Sequence, residues 1–413
     1  MPCSKCHKHR GQARRFVCLH DSDHFLALRR NLNDQVVLNA DSCNIQRQEG
    51  HLCGWTVSPD QTQIYPITNP GARCDLEEQL LPHAIYKNGH LVYQFDRCFD
   101  DTASTKEIFE WIAKPLIEPL LNGVNGSILT YGQTGSGKTH SIFGTFKDAG
   151  LIELAAREIF SRIKNCRRGQ LHRHVPCASS RTQTPNAGRE IHGRPGTIFT
   201  VKVSYIEIYM ERVNDLLQDG QRGNKHQAEN LPVKEDPFKG FYVQGMHEQQ
   251  VKTVSDVLHT LHQADRKRRF ARTDFNAVSS RSHVIFSIIV ESFTPVDTSL
   301  KNARETEAVG MWRTARLSLV DLAGSERMTI RRRPYTSARL SSQPDPQARS
   351  TLGGNANVAL LVTLHPSHKY ADVTHNSLKF AQRVGCLRVH AQTNCHTTKE
   401  HSVILRQKKI IEQ

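Results

Sequence analysis

The stretch LTYGQTGSGKTHSIFG, residues 129–144, limits what this chain can fold into more than any other. The apolar run GSILTYG reads as a short buried strand, the glycine-rich segment that follows can continue neither strand nor helix, and KTHSIF restarts as a helix. Gly132, Gly137, Lys138 and Thr139 satisfy the spacing GxxxxGK[ST]. Glycines at such positions let backbone N–H groups turn inward around an anion, and the helix that begins there adds the positive end of its dipole. Lys138 would then reach the β- and γ-phosphates of a nucleotide, and Thr139 would offer its hydroxyl to Mg²⁺. A purely structural glycine turn is the competing reading; the strand before the loop and the helix after it favour phosphate.

The flanking texture agrees with an α/β fold. LVYQFDRCF reads as a strand, STKEIFEWIAKPLIEPLL as an amphipathic helix behind a Ser/Thr cap, and the segment after the loop as a helix running on into GLIELAAREIFSRI. Strand, loop and helix in this order predict a sheet covered by helices. Residues 1–80 are polar and rich in His, Cys, Asn and Gln, with short apolar runs such as QVVLN, so poor order or weak strands are expected there. Residues 164–195 read as a polar, Pro/Gly-rich basic insertion, either a solvated linker or a tether to an acidic partner.

Composition narrows the partners. With 55 Lys and Arg against 40 Asp and Glu in 413 residues, the formal net charge is +15, a field that favours a polyanion without choosing which. No apolar run is long enough to span a bilayer, and the basic N-terminus lacks the apolar centre of a secretory signal, so a soluble cytoplasmic protein is expected. The 11 cysteines fit free thiols. Cys3, Cys6 and His7 have the local form of a c-type haem attachment site, and Cys18 and His20 would be further zinc partners; the spacing closes no four-ligand pattern, which leaves a thiol-bearing tail as the expectation.

A phosphate loop alone cannot sense hydrolysis. ARLSLVDLAGSER is an apolar strand ending in Asp321, from which a carboxylate reaches a Mg²⁺ shell, followed by Gly324, whose N–H would meet a γ-phosphate. Upstream, NAVSSRSHVIFSI sets Ser279, Ser280, Arg281, Ser282 and His283 immediately before a strand, a run equally readable as a capped, solvated loop.

Together, YGQTGSGKTH, the NxxSSRSH segment at Asn276–His283 and DLAGSE at Asp321–Glu326 resemble, in order and spacing, the three nucleotide-sensing motifs of the kinesin motor domain. VSYIEIYMERVNDLL resembles that family's central strand and helix, VKEDPFKGFYVQGM its neighbouring hairpin, and TLGGNANVALLVTLHPSHKYADVTHNSLKFAQRV its last core strand and final helix. The resemblance implies a P-loop NTPase fold, a central mixed sheet with helices on both faces, over about residues 81–390. It implies ATP and Mg²⁺ as cofactors, held by Gly132, Gln133, Thr134, Gly135, Ser136, Gly137, Lys138, Thr139 and His140, with Thr139, Ser282 and Asp321 around the metal. Ser280, Arg281, Ser282, Asp321, Gly324 and Glu326 would form the catalytic sensor, Arg281 pairing with Glu326 to close the site over the attacking water.

Two departures qualify the expectation. No RxRP segment, which in the family packs on adenine, precedes the loop, and the RRRP at Arg331–Pro334 lies on the wrong side of it. After about residue 340 the segment that should carry the relay helix and its successor is short and rich in Ser, Pro, Gln and Arg, so the motor is read as incomplete. The expectation is a microtubule (tubulin) motor ATPase associated with the cytoskeleton, with a non-motile, nucleotide-dependent binding module as the alternative. A basic nucleic-acid ATPase finds no supporting helix-turn-helix or aromatic-and-basic signature. Residues 391–413 form a short tail without sustained heptads, so a monomer is expected.

Overall fold

The structure is a computed structural model that describes residues 34–38, 55–66, 85–87, 90–100, 102–145, 147–167, 197–218, 229–236, 240–270, 281–295, 310–326, 355–365, 367–385, 389, 391–398 and 400. The elements run β1 (Asp34–Leu38), β2 (Trp55–Val57), β3 (Gln63–Pro66), β4 (Ile85–Lys87), β5 (His90–Gln94), β6 (Arg97–Phe99), α1 (Thr105–Ile112), α2 (Lys114–Leu121) and β7 (Gly126–Tyr131). They continue through α3 (Lys138–Phe143), α4 (Leu151–Arg167), β8 (Ile198–Tyr209), β9 (Arg212–Asp215), β10 (Val233–Asp236), β11 (Gly240–Val243), β12 (Gln249–Val251) and α5 (Val254–Phe270). The last are β13 (His283–Pro295), β14 (Gly310–Asp321), β15 (Asn357–Leu364), α6 (Ala371–Gly385) and β16 (Cys395–Thr397).

The main sheet has the order β12-β8-β13-β14-β7-β15-β1-β6, with β9 added on β8 and β16 on β14. From β14 to β6 the strands are parallel; from β14 to β12 they are antiparallel. Strict alternation divides the core between two faces. Val201, Val203, Phe286, Ile288, Leu317, Leu319 and Leu361 pack with α1 to α5, whereas Leu129, Val320, Leu360, Val362 and Leu364 pack with α6 and with Trp55, Ile64 and Tyr93 of the small β2-β3-β5-β4 sheet. Helices therefore cover both faces, and β7, buried along nearly its whole length, reads as a continuous apolar run for that reason.

Local chemistry explains where the elements end. Ser104 caps α1 by accepting from the Glu107 N–H, and α1 gives way to α2 at Ala113 because Pro115 has no N–H to continue the ladder. The single helix expected there is two. The helix expected after the loop also breaks: Gly144 (φ 74°) folds so tightly against Gly150 that a Cβ on Gly144 would stand 2.3 Å from the Gly150 nitrogen. LVYQFDRCF divides between β5 and β6, which join different sheets.

A further expectation is corrected. In VSYIEIYMERVNDLL the segment after the strand is no helix; Met210 (φ 49°) and Glu211 (φ 64°) reverse the chain, and β9 pairs antiparallel with β8. Within residues 1–80, DQVVL is an interior strand: β1 lies between β15 and β6 and is parallel to both. The sheet thus draws on a segment N-terminal to residue 81, and a strand does precede the phosphate loop, although it carries no RxRP. The CSKCH segment with Cys18 and His20, the insertion from residue 168, the residues after Arg327 that should carry the relay helix, and the tail from residue 401 lie outside the described residues. Among the described residues no helix is long and apolar enough to cross a membrane, and no cluster of His, Cys, Asp and Glu is placed to hold a metal by itself.

The small sheet is tied to α6 by a hydrogen bond between the buried Tyr93 hydroxyl and His375 Nδ1, their rings edge to face at 5.7 Å. Burial first, then the Lys379 cation, lowers the His375 pKa from 6.5 to about 4, against the opposing pull of Asp372. A depressed folded-state value means that this contribution is present above the unfolded pKa and is lost as pH falls through the folded one. Urea unfolding at stepped pH should therefore show stability falling between about pH 6.5 and pH 4. His375→Gln should flatten that part of the curve, and a variant curve parallel to the parent's would contradict the assignment.

Candidate functional site

The site is built where parallel strands end. In an open α/β sheet, ligands collect at the carboxyl ends of the strands. Here β7 lies between β14 and β15 with Asp321 beside Thr130 and Val362 beside Tyr131, so the glycine loop leaves β7 next to the Asp321 carboxylate. The two motifs lie far apart in sequence, and strand register alone unites them.

The loop demands its glycines. Gly132 (φ 155°) crosses β15 so closely that a Cβ would stand 2.1 Å from the Thr363 carbonyl oxygen. Gly135 (φ 80°) and Gly137 (φ 103°) adopt left-handed conformations that turn the backbone into α3. Ser136 fixes the loop from beneath, its hydroxyl donating to the Gln133 carbonyl at 2.8 Å and sharing a 2.7 Å hydrogen bond with the Thr363 hydroxyl. Gln133 is buried, and its Oε1 has no partner among the described residues. Thr134 and Gly135 are exposed at the tip, and His140 lies half-buried on α3.

Lys138 is buried, and its Nζ donates to the Gly132 and Gln133 carbonyls at 2.9 and 2.8 Å. Burial lowers its pKa, while Asp321 and Glu326 pull in the other direction and favour the charged amine. Thr139 Oγ1 donates to Asp321 Oδ2 at 2.6 Å, and Thr130 Oγ1 donates to Asp321 Oδ1 at 3.4 Å. Burial raises the Asp321 pKa; Thr139, Lys138, Arg268 and Thr130 oppose it. A hydroxyl and a carboxylate oxygen meeting beside a buried amine are the hard donors that a Mg²⁺ ion takes.

The segment after Asp321 is laced onto the loop. Leu322 N–H donates to the Thr130 carbonyl at 3.4 Å, Ala323 N–H to His283 Nδ1 at 3.1 Å, and Ser325 N–H to the Gly132 carbonyl at 2.9 Å. Glu326 accepts from the Thr134 N–H at 2.9 Å and from the Thr134 hydroxyl. Burial alone would raise the Glu326 pKa, but these hydrogen bonds and the Lys138 charge hold it below the usual glutamate value. Gly324 is threaded through this contact. The ion pair expected between Arg281 and Glu326 is not made: Arg281 is exposed, and Glu326 is engaged by Thr134 instead. Ser280 lies outside the described residues.

The sequence reading missed a buried charged group. Arg268 on α5 donates from Nε to Glu207 at 3.0 Å and from Nη2 to the Ser282 hydroxyl at 3.4 Å; the arginine is buried and Glu207 is largely so. It sits in ADRKRRF, which looks like a solvated basic run. The helical stripe Val257, Leu261, Ala264, Arg268 was the available signal, since it puts the arginine on the face that packs into the core. The cavity of about 300 Å³ between Phe160, Ile163, Phe199 and Val251 lies near the start of β8, whereas Glu207 and the loop are at its other end. The loop chemistry, not cavity size, marks the site.

Comparison with known proteins agrees with this geometry. The family model of the kinesin motor domain matches residues 62–341. The chain is 33% identical over 336 residues to Kinesin-like protein KIN-7D, chloroplastic, of Oryza sativa subsp. japonica, an alignment that covers 75% of this chain and 29% of that protein. It is 29% identical over 380 residues to Kinesin-like protein 5 of Schizosaccharomyces pombe, covering 83% and 38%. This chain thus spans about a third of the length of these curated relatives. The solved structure of a fast kinesin superposes with a TM-score of 0.62 at 24% identity, over 89% of this chain and 94% of that one, which shows the fold. A sheet of this order, a glycine loop set against Asp321 and a family match across more than half of the sequence lead to one conclusion: the chain belongs to the kinesin motor domain family.

Proposed function

We propose that the chain is a nucleotide-switched ATPase that binds Mg²⁺ and ATP at Gly132–Thr139 and uses hydrolysis to change its hold on microtubules. The observation that carries this reading is the 2.6 Å contact from Thr139 to Asp321 beside the buried Lys138, with residues 322–326 lying directly on the phosphate loop. Any group that enters between loop and switch must be sensed by both.

The residues fit the proposed cofactors. The left-handed glycines open the loop backbone toward an anion, Lys138 supplies a cation, and Thr139 and Asp321, with Ser282 from the segment before β13, would supply oxygens to Mg²⁺. When bound, the metal neutralises charge on the phosphates. Lys138 would exchange its bonds to the neutral Gly132 and Gln133 carbonyls for charged phosphate oxygens. Glu326 would leave Thr134 and become available to Arg281, which is exposed and within the adjoining switch segment. Ser282, held by Arg268, and His283, held by the Ala323 N–H, link the two switch segments, so a movement of one is transmitted to the other. Microtubules are the proposed partner because the chain is a kinesin motor domain by family, and its net positive charge suits an acidic polymer. ATP hydrolysis by the whole chain, measured with and without microtubules, tests the reading.

A further inference from the structure

The Glu326 carboxylate occupies donors that the reading above gives to phosphate. Its Oε2 accepts the Thr134 N–H at 2.9 Å, and its Oε1 accepts the Thr134 hydroxyl. Both donors belong to the tip of the glycine loop, whose inward-turning N–H groups constitute an anion site. Thr134 is exposed, so water would satisfy its donors, and no burial requirement brings the carboxylate there.

What holds it is the geometry of the switch. Ser325 N–H is anchored on the Gly132 carbonyl, which fixes the next residue over the loop. Gly324 supplies the clearance: a Cβ there would stand 2.3 and 2.4 Å from the two Glu326 carboxylate oxygens and 2.5 Å from Thr134 Oγ1. The buried ammonium of Lys138, turned onto the Gly132 and Gln133 carbonyls, adds attraction for an anion at this spot.

From these contacts we infer that Glu326 is a built-in competitor for the phosphate groups of the nucleotide: its carboxylate latches the loop through Thr134 and must leave before a di- or triphosphate is seated. This rests on the nucleotide reading of the loop. It gives Glu326 a role before binding, distinct from pairing with Arg281 afterwards. The latch couples nucleotide capture to residues 322–326, because the Ser325 bond to Gly132 holds the Glu326 backbone over the loop and keeps the carboxylate within reach of Thr134.

The test is equilibrium and stopped-flow binding of a fluorescent anthraniloyl derivative of ADP to the full chain, for the parent, Glu326→Gln and Glu326→Ala, a readout that does not involve hydrolysis. Glu326→Gln keeps the shape and removes the charge, so a folding defect in the alanine variant would not spoil the comparison. Loss of one charge-assisted contact at a partly exposed position should raise affinity and association rate about three- to tenfold in both variants. Unchanged or weaker binding in both variants, with the parent binding ADP, would overturn the latch and leave the nucleotide site standing. Absence of binding in all three proteins would overturn both.

Discussion

Lys138→Ala is expected to lower ATP turnover by about a hundredfold or more, the loss typical of removing one preorganised electrostatic contact from a water-poor site. The side chain is buried at the base of the loop, within the field of Asp321 and Glu326, and alanine would delete the only cation that the loop itself contributes. Stability should change far less than activity. The Gly132 carbonyl, which now accepts from Lys138, would keep the Ser325 N–H as its donor, and the Thr139 hydroxyl reaches Asp321 without touching the amine. Thermal unfolding beside steady-state turnover separates the two effects. Turnover within about threefold of the parent, in a folded variant, would place the chemistry elsewhere.

Arg268→Ala should cost about 3–5 kcal/mol of folding stability, because removing the buried member of a largely buried ion pair leaves the other charge less well compensated. Glu207 is that partner, almost as buried as the arginine. Ser282 would lose the Arg268 contact as well, so the switch segment should loosen and nucleotide binding should weaken along with stability. The double variant Glu207→Gln with Arg268→Met removes both charges and should recover much of the folding loss without restoring the Ser282 contact. Denaturant unfolding of the parent, the single variants and the double variant measures the coupling. Equal losses in single and double variants would show that packing of the long side chain, rather than charge, is what Arg268 contributes.

The two residues differ in how far the sequence disclosed them. Lys138 was visible because the phosphate loop is local: its glycines, lysine and threonine must follow one another at fixed spacing, so one window contains the whole device. Asp321 was visible for a similar reason, as the polar end of an apolar strand. Neither Arg268 nor the partner of Glu326 was legible, because each is defined across the sheet. Glu207, Arg268 and Ser282 meet only once β8, α5 and the start of β13 are in register, and a basic run is read by default as solvated. Glu326 carried an expectation of Arg281, and the backbone set it on Thr134 through the Ser325 anchor and the open space at Gly324.

Element breaks show the same limit. The helices split at Ala113 and at Gly144, where one proline and one close backbone approach outweigh an unbroken apolar pattern. DQVVL, five residues in a polar region, has too little local pattern to announce an interior strand; hydrogen bonds from β15 and β6 give it that place. Polar side chains also face the sheet surface away from α1 to α5: Ser287 and Ser318 share a 3.3 Å hydrogen bond there, and Lys202 and Glu291 are paired at 2.8 Å.

The most direct measurement is steady-state ATP hydrolysis by the full chain with and without microtubules, with Lys138→Ala as the control. The account predicts Mg²⁺-dependent turnover that rises when microtubules are added and disappears in the variant. Turnover indifferent to microtubules, in a chain that is folded and binds nucleotide, would contradict the proposed coupling and support a non-motile nucleotide-binding module.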